Sequence, residues 1–266
     1  MIIRYIITGL VLVLTFMMSA CVSKTTSSLT EKADPIVAVQ RYVDLGLEYI
    51  KRDDFYRARK HLNRALEIDN QDPSANAALA LIYHHDGEVK KAEELFLKAL
   101  KSNPDYTRGR SYYAAFLFAE KRFQDALEHF LLAADDSDYQ GRSQIYSNIA
   151  LCHLKLGQLQ QAIDAYTKTL RLDRFDAKAL FGISEILIQT EDFKSAQHYY
   201  NRLVRLIRER GMQHSAKSLW LGVRIADYFG SNQQVESLSG LLNEMYPDSE
   251  ENAIRLRRVN LESNND

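Results

Sequence analysis

The chain repeats one pattern of residues at intervals of about 34 residues, and this self-similarity constrains its fold more than any other feature. In each unit, three large residues surround a small one, as in Tyr42, Leu45, Gly46 and Tyr49, and further small residues follow at fixed offsets. Six units fill residues 39–250, with starts near 39, 73, 107, 143, 177 and 215. A period in this range is the signature of stacked structural repeats. The sequence therefore predicts a repeat array.

The repeated pattern resembles the tetratricopeptide repeat, in which two antiparallel helices are joined by a tight turn. Small residues on both helices would let them approach closely, and large residues would fill the spaces between neighbouring pairs. The small positions of the second helices are Ala58, Ala92, Ala126, Ala162 and Ala196. We therefore predict an all-α fold, a tetratricopeptide-repeat superhelix of about six helix-turn-helix units.

Composition and motifs exclude several classes of protein. The 34 Lys and Arg residues and 35 Asp and Glu residues give a net charge of −1, which argues against nucleic-acid binding. Two cysteines cannot form a disulfide scaffold. The sequence contains no glycine-rich phosphate loop, no His-Glu-x-x-His and no Gly-x-Ser-x-Gly. We expect no enzyme activity, no cofactor, no metal and no small-molecule substrate.

The first 20 residues have the pattern of a signal peptide. Arg4 is followed by an apolar run from Tyr5 to Met17, and a basic start, an apolar core and then small residues are typical of secretory signals. The sequence Met18-Ser19-Ala20-Cys21 resembles the bacterial lipobox, which implies that Cys21 is lipidated and becomes the first mature residue. The alternative interpretation is an uncleaved N-terminal membrane anchor.

The segment after Cys21 is predicted to be a tether. Residues 22–34 are polar and rich in Ser and Thr, so we assign residues 21–38 to a lipid anchor and a flexible linker. Val22 differs from the aspartate typical of lipoproteins retained in the inner membrane, which favours a periplasm-facing position on the outer membrane. Residues 251–266 are expected to form a short helical cap or a frayed tail.

The concave face of the array is the expected binding surface. Tetratricopeptide arrays usually hold peptides there, on the first helix of each pair, at positions 5, 9 and 12 of the repeat. The candidate groove residues are Val43, Leu47, Ile50, Phe118, Leu151, Leu154, Phe181 and Ile188. Such an apolar lining suits an amphipathic helix or a hydrophobic strand segment of a protein partner. Alternatively, part of this lining packs against the sixth repeat or the tail.

Four features together resemble the PilF/PilW family of type IV pilus biogenesis lipoproteins. They are the lipobox, the short tether, the six repeats, and a divergent last unit that contains Trp220 and ends at Tyr246-Pro247. This resemblance implies a pilotin, which helps the pilus secretin to reach the outer membrane and to assemble its ring there. The competing hypothesis is a tetratricopeptide lipoprotein that scaffolds cell-wall hydrolases or proteases.

The lipobox interpretation predicts that Cys21→Ser moves the protein from the membrane fraction to a soluble or uncleaved precursor pool. The thiol that would carry the acyl chains is then absent, and stable anchoring by acyl chains depends on the hydrocarbon they bury, at about 0.8 kcal/mol per methylene. Fractionation of cell envelopes and immunoblotting measure this. A Cys21→Ser protein that still matures and remains in the outer membrane would show that the interpretation is wrong.

Overall fold

The computed structural model describes residues 34–263, which form thirteen α-helices and contain no strand. In chain order the helices are α1 Pro35–Lys51, α2 Phe55–Ile68, α3 Pro73–His85, α4 Val89–Ser102, α5 Thr107–Ala119, α6 Phe123–Ala134, α7 Arg142–Lys155, α8 Leu159–Leu172, α9 Ala177–Gln189, α10 Phe193–Glu209, α11 Ala216–Tyr228, α12 Asn232–Met245 and α13 Glu250–Ser263. The predicted signal peptide, Cys21 and the first part of the predicted tether lie outside the described residues. Within residues 34–263, no helix has the length and apolar character needed to cross a membrane.

The helices form successive pairs that stack side by side. The extensive helix–helix contacts lie within a pair, such as α1 with α2, or between one pair and the next. This neighbour-only packing is the arrangement expected for a solenoid of repeats. The predicted all-α superhelix is confirmed, and the described residues hold six pairs followed by α13.

The helix starts differ from the predicted repeat starts mainly at the N-terminal end. First helices begin at residues 35, 73, 107, 142, 177 and 216, so the first repeat begins four residues earlier than predicted. Asp34 accepts a hydrogen bond from the Ile36 backbone N–H at 2.9 Å, and Pro35 occupies the first turn, where its missing N–H costs nothing. Residues 35–38 are therefore helical and do not belong to the tether.

Close approach of the paired helices depends on the small residues that the repeat pattern singled out. Ala58, Ala92 and Ala126 have no exposed surface. A Cβ atom placed on Gly46 would lie 2.6 Å from Cδ2 of Leu62 on the partner helix, a distance at which atoms overlap. The large side chain of the second helix therefore occupies the space that a small residue of the first helix leaves open.

Each turn within a pair contains one residue in the left-handed backbone region. Gly87, Gly157 and Gly230 occupy this position in three pairs, where glycine carries no steric penalty. In the other pairs the position is held by Asp53, Lys121 and Glu191, with φ between 57° and 61°. A tight turn of one geometry thus recurs in all six pairs, even where the left-handed residue is not glycine and this conformation is unfavourable for it.

Helix α13 covers the far end of the stack by packing on α11 and α12. Asn252 is 1% exposed, and its side-chain amide donates to the backbone oxygen of Pro247 at 2.9 Å. Arg258 forms an ion pair with Asp227 of α11 at 2.8 Å. The C-terminal segment is therefore a docked helix whose outer surface ends the array.

We expect Ala126→Leu to lower the free energy of unfolding by about 1–3 kcal/mol, because a larger side chain at this buried site overpacks the core. Urea denaturation followed by circular dichroism measures the change. The control is Ala115→Leu on α5, since Ala115 is exposed and should change stability by about 0.5 kcal/mol or less. Equal stability of the two variants would contradict this assignment of core positions.

Candidate peptide-binding groove

An apolar cavity of about 400 Å3 lies where the fourth, fifth and sixth repeats meet. Its walls come from α7 and α9, from one face of α10, and from the connection between α10 and α11. The lining residues are Ser147, Leu151, Leu154, Tyr166, Ala177, Lys178, Phe181, Gly182, Glu185, Leu203, Ile207, Met212, Gln213, Ser215 and Ser218. A largely apolar concavity with few polar groups is typical of a binding site.

Three of the predicted groove residues come together in this cavity. Leu151 and Leu154 project from α7, and Phe181 projects from α9 of the following repeat. Leu151 is 37% exposed, while Leu154 and Phe181 are half-buried. The structure thus brings apolar side chains of two successive first helices onto one accessible surface.

The other predicted groove residues lie elsewhere, and two of them cannot contact a partner. Val43 and Ile188 are each 1% exposed. Val43 packs in a cluster with Ala65 and Ala75, and Ile188 belongs to the central hydrophobic core. Their prediction as groove residues is wrong, because neighbouring side chains cover these two residues, although Phe181 and Leu154 at the same positions of other repeats are accessible.

Leu47, Ile50 and Phe118 are half-buried but do not line this cavity. Leu47 and Ile50 pack against the first two repeats. The ring of Phe118 lies edge-on to Phe123 of its own repeat, with ring centroids 5.2 Å apart. Phe118 is therefore separate from Leu151 and Phe181, because the cavity begins at the fourth repeat.

Residues that the repeat pattern did not indicate complete the cavity. Helix α10 has 17 residues, whereas the other second helices have 12 to 14. The additional length carries Ile207 to the cavity, and the connection that follows adds Met212, which is 46% exposed, and Gln213. The interval of 38 residues between the fifth and sixth repeat starts was the only sequence signal for this wall.

The polar groups of the cavity are few and differ in their surroundings. The Oγ atom of Ser147 is buried and has no hydrogen-bond partner among the described residues. A buried hydroxyl without a partner is costly, and at 1% exposure the hydroxyl of Ser147 is not open to a ligand. The charged side chains of Lys178 and Glu185 are exposed and lie at the rim. The cavity can therefore take an apolar side chain.

Two tyrosines of the fourth and fifth repeats, Tyr166 and Tyr200, are buried. Burial raises the pKa of Tyr166 and of Tyr200 to about 12. A Cβ atom on Gly182 would lie 2.5 Å from Cε2 of Tyr166, so the Tyr166 ring lies directly against α9 and closes the floor of the cavity.

The described residues contain little that could perform chemistry. No three His, Cys, Asp or Glu side chains in residues 34–258 are arranged to hold a metal ion. Cys152 is fully buried, and burial raises the pKa of its thiol to about 12. The thiolate is the reactive form of cysteine, and the raised pKa keeps Cys152 protonated. This cysteine therefore has a packing role.

Family models of the tetratricopeptide repeat match residues 49–116, 143–176 and 177–210. The first match runs from the end of α1 into α5, and the other two cover the fourth and fifth repeats, which supply most of the cavity lining. Together with the six stacked pairs, they define the chain as a tetratricopeptide-repeat protein, a fold of protein interaction.

The particular family follows from a closer relative. The type IV pilus assembly protein PilF of Pseudomonas aeruginosa is 33% identical over 208 residues, which are 78% of this chain and 81% of PilF. A solved structure of Pseudomonas aeruginosa PilF has 31% identity and a TM-score of 0.78, and the match covers 84% of this chain and 99% of that one. The chain belongs to the PilF family.

A second solved structure has the same fold at greater sequence distance. PilW, described as a widely conserved type IV pilus biogenesis factor, is 24% identical with a TM-score of 0.70. The match covers 82% of this chain and 98% of PilW. The six-repeat architecture is thus shared across nearly the whole length of both solved relatives.

The buried thiol gives a test of the packing around the groove. In the Cys21→Ser protein, Cys152 is the remaining cysteine. Burial raises the pKa of the Cys152 thiol from 9.0 to about 12, so the thiol stays protonated at pH 8. We therefore expect Cys152 of the folded protein to react with a disulfide reagent at least about a hundredfold more slowly than Cys152 of the protein unfolded in urea. Absorbance of the released thiolate measures the rate. Equal rates with and without urea would contradict the burial of α7.

Proposed function

We propose that this protein is an outer-membrane lipoprotein that serves type IV pilus assembly as a pilotin. In this role it binds the pilus secretin through the apolar cavity and promotes its localisation and multimerisation. The observation that carries the proposal is that Leu151, Leu154 and Phe181 line one accessible apolar cavity. The chain that carries this cavity belongs to the PilF family.

The proposed position in the cell rests on the N-terminal sequence. Cys21 follows a lipobox-like segment, and Val22 is not the aspartate of inner-membrane lipoproteins. An acylated Cys21 would anchor the protein to the periplasm-facing leaflet of the outer membrane, with residues 22–34 as a tether. The repeats would then face the periplasm, where an arriving secretin subunit can be bound before its ring forms.

The proposed binding mode follows from the geometry of the cavity. An apolar side chain of the partner would enter between α7 and α9 and contact Leu151 and Phe181. Burying one large apolar side chain contributes about 1.5–3 kcal/mol. The few polar groups of the cavity favour a partner segment that presents one apolar face, such as an amphipathic helix or a hydrophobic strand.

The decisive variant is Phe181→Ala, because it removes the apolar ring from the cavity wall without opening the central core. We expect this variant to bind the purified periplasmic domain of the secretin roughly 10- to 100-fold more weakly, because the partner no longer buries apolar surface against the Phe181 ring. In cells, the variant should be present at the normal level but support fewer secretin rings and fewer surface pili. Titration by fluorescence anisotropy and envelope immunoblots measure the two effects.

Phe229→Ala is the matched control. Phe229 is 43% exposed and lies outside the cavity, so its loss should leave both measurements unchanged. If Phe181→Ala and Leu151→Ala each leave secretin binding and pilus number intact, the cavity is not the secretin site. Intact pili with altered cell-wall turnover would instead support the competing scaffold of cell-wall enzymes.

A further inference from the structure

A second crevice, of about 360 Å3, lies between the connection before α9 and the helix α10. The crevice and the apolar cavity lie on different faces of α10. Leu203 and Ile207 line the cavity, whereas Arg202, Arg205, Leu206 and Glu209 line the crevice. Besides buried Leu180, its lining residues are Arg174, Phe175, Arg202, Arg205, Leu206 and Glu209. We call this set the arginine crevice.

Crevices at the same place in other repeats provide an internal comparison. The second repeat forms one between Gln71 and α4, and the third forms one between residues 104–105 and the end of α6. The crevice of the second repeat mixes Glu94 with Lys98 and Lys101, and that of the third is mainly acidic. A crevice at this place is thus general to the fold, and the three guanidinium groups distinguish the one in the fifth repeat.

The arginines of this crevice are available to a ligand. Among the described residues, Arg174, Arg202 and Arg205 form no ion pair with a carboxylate. Of the acidic residues of the preceding connection, Asp173 accepts from the Phe175 backbone N–H at 2.9 Å and Asp176 from the Ala179 N–H at 2.7 Å. Only Glu209 adds a negative charge to the lining itself.

Two of the three arginines also contact neighbouring groups. The guanidinium carbon of Arg174 lies 4.4 Å from the centre of the Phe175 ring, within the range of a cation–π contact. Arg202 donates to the backbone oxygen of Arg174 at 3.4 Å. Phe175 itself is 40% exposed, so an aromatic surface lies beside the positive charges.

We propose that the arginine crevice binds an acidic segment of a protein, with a carboxylate bound between Arg202 and Arg205 and an adjacent apolar side chain on Phe175. Guanidinium groups bind carboxylates through two parallel hydrogen bonds, which are roughly twice as strong as neutral ones. The crevice is concave and partly apolar, so a protruding peptide side chain fits it better than the flat surface of a membrane. The site is independent of the apolar cavity and of the secretin as partner.

The test uses a fluorescent peptide with the sequence glycine–glutamate–phenylalanine–glutamate–glycine and the same peptide with glutamines in place of the glutamates. Fluorescence anisotropy should show binding of the glutamate peptide that falls with added salt, and at least about tenfold weaker binding of the glutamine peptide. The double variant Arg202→Gln, Arg205→Gln should bind the glutamate peptide about tenfold more weakly, or weaker still.

The control is the double variant Lys98→Gln, Lys101→Gln, which removes the same charge from the equivalent crevice of the second repeat and should leave binding unchanged. If the arginine double variant melts at a lower temperature, Arg205→Gln alone replaces it, because the side chain of Arg205 is exposed. Equal binding of both peptides, or equal loss in both double variants, would overturn the proposal.

A third measurement separates protein from lipid. Vesicles of phosphatidylglycerol are sedimented with the Cys21→Ser protein, in which no acyl chain contributes and all the arginines are retained. Arginine-dependent binding to these vesicles without binding to the glutamate peptide would assign the crevice to lipid phosphate and overturn the proposal.

Discussion

The structure depends on one contact, between a small residue of the first helix of a pair and a large side chain of the second. At Gly46 against Leu62 and at Gly222 against Leu238, an added Cβ atom would overlap the side chain opposite it. Because this contact brings the helices of a pair close together, large side chains on the remaining faces extend to the next pair. The chain therefore grows by stacking, and the apolar cavity is formed where three adjacent pairs meet.

Much of this architecture could be predicted because its determinants recur at a fixed interval. The buried alanines and the starts of five of the first helices follow directly from the period. Where the sequence failed, the reason was packing between repeats. Val43 and Ile188 occupy positions of the repeat that also carry groove residues, yet neighbouring helices cover both. A single repeat specifies the direction of a side chain, whereas its exposure depends on what the adjacent pairs place in front of it.

The residues of the site that could not be predicted come from the region where the repeats depart from their regular period. Helix α10 is longer than the other second helices, and it borders both concave surfaces of the C-terminal half. Ile207 of this helix lies in the apolar cavity, while Arg202 and Arg205 lie in the arginine crevice. The residues added to α10 and to the connection after it thus complete the wall of the apolar cavity, and this effect on shape is not encoded in the repeat pattern.

The two ends of the stack are unequal, and this asymmetry has a mechanical consequence. At the first end, Ile36 is 79% exposed and Leu45 is 44% exposed, whereas α13 closes the other end with the buried Asn252 and the ion pair between Arg258 and Asp227. In a linear array each pair is stabilised by its neighbours, so the less protected end opens first. A pull applied at the N-terminus would therefore unfold α1 and α2 first, and this pair would extend while the pairs around Phe181 kept their shape under load.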